Sequence, residues 1–200
     1  TKYVCITKPR RLGKTSVLNM LGAYYGKAYD AADLFEGSAI SKCASYTDHL
    51  NQYNVISLCL NEIPLDWSRY EDYIAQFNNA IIHDVKESYP ALKDQTFEKA
   101  SDALAATGDS FIFLIDEWDY IFSHELYPEY QGAFLEFLRN LLKDKSYVAL
   151  VYMTGVLPIK KYSTGSALNM FDEYTMLKDR YFEGYFGFME SEVEALCRKQ

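Results

Sequence analysis

The sequence has no run approaching the ~18 consecutive apolar residues of a membrane-crossing helix, and nothing in it resembles a signal peptide. Its four cysteines, Cys5, Cys43, Cys59 and Cys197, form no Cys-x-x-Cys pair, which argues against zinc and thiol-redox frameworks. The three histidines, His49, His83 and His124, stand apart, and no His-Glu-x-x-His occurs. Positive charge is scarce: 20 Lys and Arg against 28 Asp and Glu leave a net charge of −8. A surface of that sign repels nucleic acid and anionic membrane. Internal repeats, low-complexity tracts and linkers are missing, as is the Asn-Lys-x-Asp signature of guanine recognition. These absences leave a soluble, cytoplasmic domain with no membrane association as the expectation. Two hundred residues suffice for one α/β core.

Aromatic residues are abundant, with 18 Tyr and 12 Phe, and they predict bulky packing without naming a chemistry. Short β runs alternate with helical patterns. Residues 3–7 (YVCIT), 54–60 (NVISLCL), 111–115 (FIFLI) and 147–153 (YVALVYM) read as strands, and 174–177 as a further short one. The 111–115 run is apolar throughout, so it belongs in the middle of a sheet covered on both faces. Residues 14–25 read as a helix with Val17, Leu18, Leu21 and Tyr25 on one face. Ser68-Arg69-Tyr70-Glu71 reads as a capping box opening a helix that runs to Tyr89-Pro90. Further helices are expected over 96–106, around 134–142, and from a cap at Ser191. Residues 26–45 show no regular pattern. The alternation predicts a doubly wound, mainly parallel sheet with helices on both faces. Cys5 and Cys59 lie inside apolar runs and are expected to be buried, inert thiols.

Between the first strand and the first helix lies Lys8-Pro9-Arg10-Arg11-Leu12-Gly13-Lys14-Thr15-Ser16. Gly13, Lys14 and Thr15 match the end of G-x-x-x-x-G-K-[ST], and Lys8 holds the place of the first glycine. In such a loop, backbone N–H groups and the positive end of the helix dipole wrap phosphates. Lys14 would reach the β- and γ-phosphates, the Thr15 hydroxyl would ligate Mg²⁺, and Ser16 would touch the α-phosphate. Pro9 has no N–H to give. Arg10 and Arg11 add charge that compensates for it, or that meets another acidic partner.

The partner motif ends the buried strand at Asp116-Glu117. An Asp at such a strand end holds Mg²⁺, and a Glu after it can orient and deprotonate the attacking water. Asp119 is a further, less favoured acid. Thr154, ending the next buried strand, is placed to stand beside the γ-phosphate. The candidate catalytic set is therefore Glu117, Lys14 and Thr154, with Thr15 and Asp116 for the metal and residues 8–16 for the nucleotide.

These segments, together with Tyr152-Met153-Thr154-Gly155-Val156-Leu157-Pro158-Ile159, Phe171-Asp172-Glu173-Tyr174 and residues 185–193 (YFGFMESEV), resemble the AAA-ATPase-like family of bacterial P-loop proteins. The resemblance covers nearly the whole chain in order. It implies that a Pro-Arg-Arg phosphate loop without the first glycine is a family habit. It also implies that the Thr154 strand lies between the phosphate-loop strand and the Asp116 strand. Members often carry a C-terminal PD-(D/E)XK nuclease-like domain, an effector that these 200 residues do not contain. Thr1 stands almost on a strand and Gln200 within a helical pattern, so the sequence reads as a piece of a longer chain. Residues 1–180 are expected to form the ATPase core, and 181–200 to start a truncated C-terminal helical region. An activating arginine is expected outside the fragment, in the C-terminal region or on a neighbouring subunit of an oligomer. Arg180 and Arg198 are weak substitutes.

Three functions follow. The first is an ATPase, a hydrolase binding ATP or ADP with Mg²⁺. The second is a nucleotide-dependent switch with negligible hydrolysis that gates an attached effector or partner. The third, a nucleic-acid-binding module using Lys8, Arg10, Arg11 and Lys14, is opposed by the acidic total.

Overall fold

The computed structural model describes residues 1–28, 30–63, 68–162, 167–175, 186 and 190–198. Strand β1 (Tyr3–Thr7) runs into the loop of residues 8–13 and helix α1 (Lys14–Tyr25). Two short helices, α2 (Ala32–Phe35) and α3 (Tyr46–His49), precede β2 (Asn54–Cys59). Helices α4 (Tyr70–Ser88) and α5 (Ala100–Ala106) lead to β3 (Phe111–Asp116). The short α6 (Tyr120–Ser123) and the long α7 (Gln131–Leu142) lead to β4 (Val148–Gly155). Helix α8 (Ile159–Tyr162), β5 (Asp172–Thr175) and α9 (Glu190–Cys197) complete the order.

The five strands form one sheet in the order β2-β3-β4-β1-β5, and every pair is parallel. The expected α/β fold is therefore present, and the Thr154 strand does lie between β1 and β3. Strand β3 shows why the sheet must be covered twice. Its Phe111, Phe113 and Ile115 point into a large core with residues of α4, α5 and α7, while Ile112 and Leu114 pack with Leu18 of α1 on the opposite face. Both sets of side chains are buried. The side-chain period of two makes that split unavoidable in a strand apolar throughout.

Helix α4 buries Tyr73, Phe77, Ile81 and Val85, a single face at i, i+4 spacing. Each such side chain contributes about 1.5–3 kcal/mol when fully buried. Tyr73 also donates its hydroxyl to the carbonyl of Leu60 at 2.6 Å, tying α4 to the end of β2. Burial raises the Tyr73 pKa far above that of free tyrosine. Tyr73→Phe keeps the ring and orphans a buried carbonyl, so urea titration is expected to show a loss of about 1–2 kcal/mol. A loss below 0.3 kcal/mol, roughly the error of such a comparison, would show that this bond adds nothing net.

Several boundaries depart from the sequence reading. Helix α4 starts at Tyr70 with Arg69 at its N-cap and no side-chain cap, so Ser68 falls one residue too early for its capping box. Helix α5 starts at Ala100 rather than Thr96, and the Ala100 N–H is met by the Asn78 side chain of α4. Strand β5 lies two residues upstream of its expected start, because Val4–Thr7 of β1 pair with Asp172–Thr175. Residues 163–166 and 176–185, including Arg180, lie outside the described residues, as do Pro64, Leu177 and the Ser191 side chain. Residues 26–45 gain order from a small cluster around Tyr24, Ala31 and Phe35. Asn51 pins that region by donating to the carbonyls of Ala23 and Gly26 and accepting from the Ala31 N–H. Among the described residues, no helix is long and apolar enough to cross a membrane.

Candidate functional site

Parallel strands end together on one side, and a crevice opens there where neighbouring strands send the chain to opposite faces. Strands β1 and β4 do this. After β1 the chain turns into α1 on the Leu18 face, and after β4 it turns into α8, whose Ile159 and Tyr162 join the other core. The loop of residues 8–13, Thr154 and Asp116 all lie at that end.

The loop carries the backbone pattern of an anion site. Arg11 has φ 68° and Gly13 φ 79°, and left-handed residues of this kind help form anion-binding concavities. Gly13 is also the N-cap of α1, with no side-chain cap and no acidic residue in the first turn. The first N–H groups of a helix have no intrahelical acceptor, so an uncapped start leaves donors and a positive dipole end for a ligand. Lys14 is buried and donates to the carbonyls of Lys8 at 3.0 Å and Pro9 at 2.9 Å. Burial lowers its pKa, while the carboxylates of Asp116, Asp119 and Glu117 act to raise it and Arg10 lowers it further. Lys8 is itself only 6% exposed, and its main-chain N–H donates to the Gly155 carbonyl at 3.1 Å. Pro9, Arg10, Arg11, Thr15 and Ser16 are exposed, and Leu12 is half-buried.

Asp116 is the hub. Its carboxylate accepts from the Thr15 hydroxyl at 2.6 Å, from the Glu117 N–H at 3.0 Å and from the Thr154 hydroxyl. Asp116 is 4% exposed and Thr154 fully buried. Two motifs 101 residues apart in the chain thus meet through one hydrogen bond. Glu117 is half-buried and takes φ 52°, a left-handed conformation that costs a non-glycine residue roughly 1–2 kcal/mol. The side chains that meet at Asp116, those of Thr15 and Thr154, bring oxygen atoms only, the ligand type that suits a hard cation completed by phosphate and water. Among the described residues, no cluster of three or more His, Cys, Asp or Glu could hold a metal alone.

The structure therefore brings Lys14, Thr15, Asp116 and Thr154 together. It adds a set of contacts that the sequence reading missed. The Trp118 N–H donates to the Thr154 carbonyl at 3.1 Å, which extends the β3–β4 pairing beyond Asp116. The Trp118 indole is fully buried against Gly155, and its Nε1 has no hydrogen-bond partner among the described residues. The signal was a glycine directly after the Thr154 position, where close backbone approach demands one. Cys5 is buried as expected, and burial raises its thiol pKa. Cys59 is only half-buried, with Sγ 3.0 Å from Asn61 Oδ1, because β2 is an edge strand covered less completely than the strands inside the sheet. Arg198 lies at the surface, paired with Glu194 at 3.3 Å.

Searches of curated proteins and of solved structures returned no match. A family model described as a predicted AAA-ATPase, AAA-ATPase-like, matches residues 1–164, from β1 through the Asp116 and Thr154 strands. With four-fifths of its length matched and the sheet order that the resemblance implied, the chain belongs to the AAA-ATPase-like family.

Proposed function

We propose that the chain binds ATP with Mg²⁺ at the carboxyl ends of β1, β3 and β4 and hydrolyses it. The observation that carries this reading is the 2.6 Å hydrogen bond from Thr15 to Asp116. It sets the hydroxyl of a Gly-Lys-Thr loop against a strand-end carboxylate, the pair expected to hold a phosphate-bound magnesium. Magnesium bound there would neutralise phosphate charge. Thr15 and Asp116 would hold it, and Thr154 keeps the Asp116 carboxylate oriented. The exposed start of α1 and the loop amides of Gly13, Lys14, Thr15 and Ser16 would cradle phosphate oxygens. Lys14 would exchange two neutral carbonyl acceptors for anionic oxygen, a stronger partner. Lys8, Arg10 and Arg11 supply further positive charge around the loop, and Pro9 and Leu12 shape it. Glu117 would orient the attacking water and accept its proton.

One observation favours a second reading. Lys14 is tied to its own loop, so arriving nucleotide changes the bonding of the loop, as a switch requires, whether or not Glu117 turns ATP over. In both readings we take residues 1–180 as the core and 181–200, which include α9, as the start of a helical region leading to an effector.

Calorimetric titration with ATP and Mg²⁺, run beside Lys14→Ala, tests the site. The wild-type chain is expected to bind in the micromolar range, and the variant about 10–100-fold more weakly, as loss of a charged hydrogen bond implies. EDTA should weaken binding and stop turnover. Equal affinity in the two proteins, or no binding by a folded wild-type chain, would overturn the proposal.

A further inference from the structure

We infer that Asp119 is a positioning residue for hydrolysis: its buried carboxylate clamps the turn after β4 onto the turn after β3 and so fixes Glu117 relative to Thr154. The inference rests on the hydrolysis reading of the site. Asp119 is 3% exposed, and its Oδ2 accepts from two successive amides, Val156 N–H at 3.1 Å and Leu157 N–H at 2.7 Å. Those amides lie just beyond Thr154-Gly155.

The helix that Asp119 precedes does not account for this carboxylate. Asp119 occupies the N-cap of α6, where an aspartate side chain ordinarily bonds to the first amides of its own helix. Here it makes no such cap. Its main-chain carbonyl takes the Phe122 and Ser123 N–H groups, and the side chain is turned across to β4. Burying a carboxylate is costly unless it is hydrogen-bonded, so a local helix start is a poor reason to bury this one.

The clamp explains how Glu117 keeps its conformation. On one side Asp116 accepts the Glu117 N–H and the Thr154 hydroxyl. On the other, Trp118 donates to the Thr154 carbonyl, and Asp119 holds Val156 and Leu157. Glu117 sits between these attachments at φ 52°. A left-handed glutamate persists only where its surroundings impose the conformation. With the Asp119 attachment removed, the turn can relax toward right-handed dihedrals and carry the Glu117 carboxylate off its line to the attacking water. A misplacement of about 1 Å can lower a rate by about 100-fold. Nucleotide binding, which uses the loop, Thr15 and Asp116, keeps its contacts.

The test compares wild type, Asp119→Ala, Asp119→Asn and Glu117→Gln. Four quantities are read: affinity for a non-hydrolysable ATP analogue, single-turnover hydrolysis, thermal melting, and hydrogen exchange at the Val156 and Leu157 amides. Asp119→Ala is expected to keep its affinity within about 3-fold, to lose about 10–100-fold in the hydrolytic step, and to lose protection at both amides. Asp119→Asn keeps an acceptor oxygen and should recover most of the rate and the protection. It also carries the test if the alanine variant does not fold: its Val156 and Leu157 amides must then stay protected and its rate near that of wild type. Full hydrolysis by Asp119→Ala would overturn the inference while leaving the ATPase reading intact. So would a rate that falls only in step with affinity and folded fraction. Wild type turning over no faster than Glu117→Gln would refute the hydrolysis reading, and the positioning role with it.

Discussion

Glu117→Gln is expected to bind ATP as wild type does and to hydrolyse it about 10²–10⁴-fold more slowly, the range supplied by a positioned general base. Glutamine has nearly the shape of glutamate and accepts the same left-handed backbone. The Glu117 N–H bond to Asp116 uses main chain, so it survives the change. Thr15, Asp116 and Lys14 are untouched, which is why affinity should hold. The loss is confined to a carboxylate able to take a proton from water. Rapid-quench hydrolysis beside calorimetry separates the two quantities. Wild-type turnover in the variant would remove Glu117 from the mechanism, and a parallel fall in affinity would assign it to holding the metal instead.

The largest structural effect is expected at Gly155. A Cβ added there would lie 2.5 Å from both Cδ1 and Nε1 of Trp118 and 2.6 Å from Asp119 Oδ1. Neither neighbour is a flexible tip. Trp118 is fully buried, 5.5 Å from the Phe122 ring centroid to centroid, and Asp119 is fastened by two amides. Gly155→Ala should therefore behave as overpacking of a rigid site and cost about 1–3 kcal/mol. For a domain of this size that is a fall in Tm of roughly 2–4 °C per kcal/mol. Because the displaced groups flank Glu117, hydrolysis should fall further than stability alone explains. A chain melting within a degree or so of wild type with full turnover would show that the β4 turn yields easily.

Much of the site was legible because its signals are local. Gly13-Lys14-Thr15 at a strand-to-helix junction, and Asp116-Glu117 ending an unbroken apolar strand, need only a few neighbouring residues to be recognised. The double coverage of β3 was equally plain from its composition. The strand order was not: nothing in the pattern of Tyr3–Thr7 says that it pairs with Val151–Gly155 rather than with β2, and only the family resemblance implied it. Asp119 was visible as an acid but not as a clamp, since its partners are 37 and 38 residues away and are backbone amides with no side-chain signature. Gly155 does end β4, but its close contact with Trp118 carried no local signal because that ring belongs to another strand's turn. The capping box failed for a smaller reason. Ser68-x-x-Glu71 fits the motif, but α4 takes up its helical geometry one residue later than Ser68 would require.

The placement of β1 also bears on how the protein is made. Its first residue pairs with Val151, so β1, which precedes the other four strands in the chain, pairs with β4 only after β2, β3 and β4 have been made. At ~5–20 residues per second, the nascent chain carries that apolar segment unpaired for roughly 7–30 s. Until β4 leaves the ribosome, Lys14 and Thr15 have neither Asp116 nor Thr154 in place opposite them. A ligand held jointly by the ends of β1, β3 and β4 would therefore recognise only a chain in which those three strands are already paired.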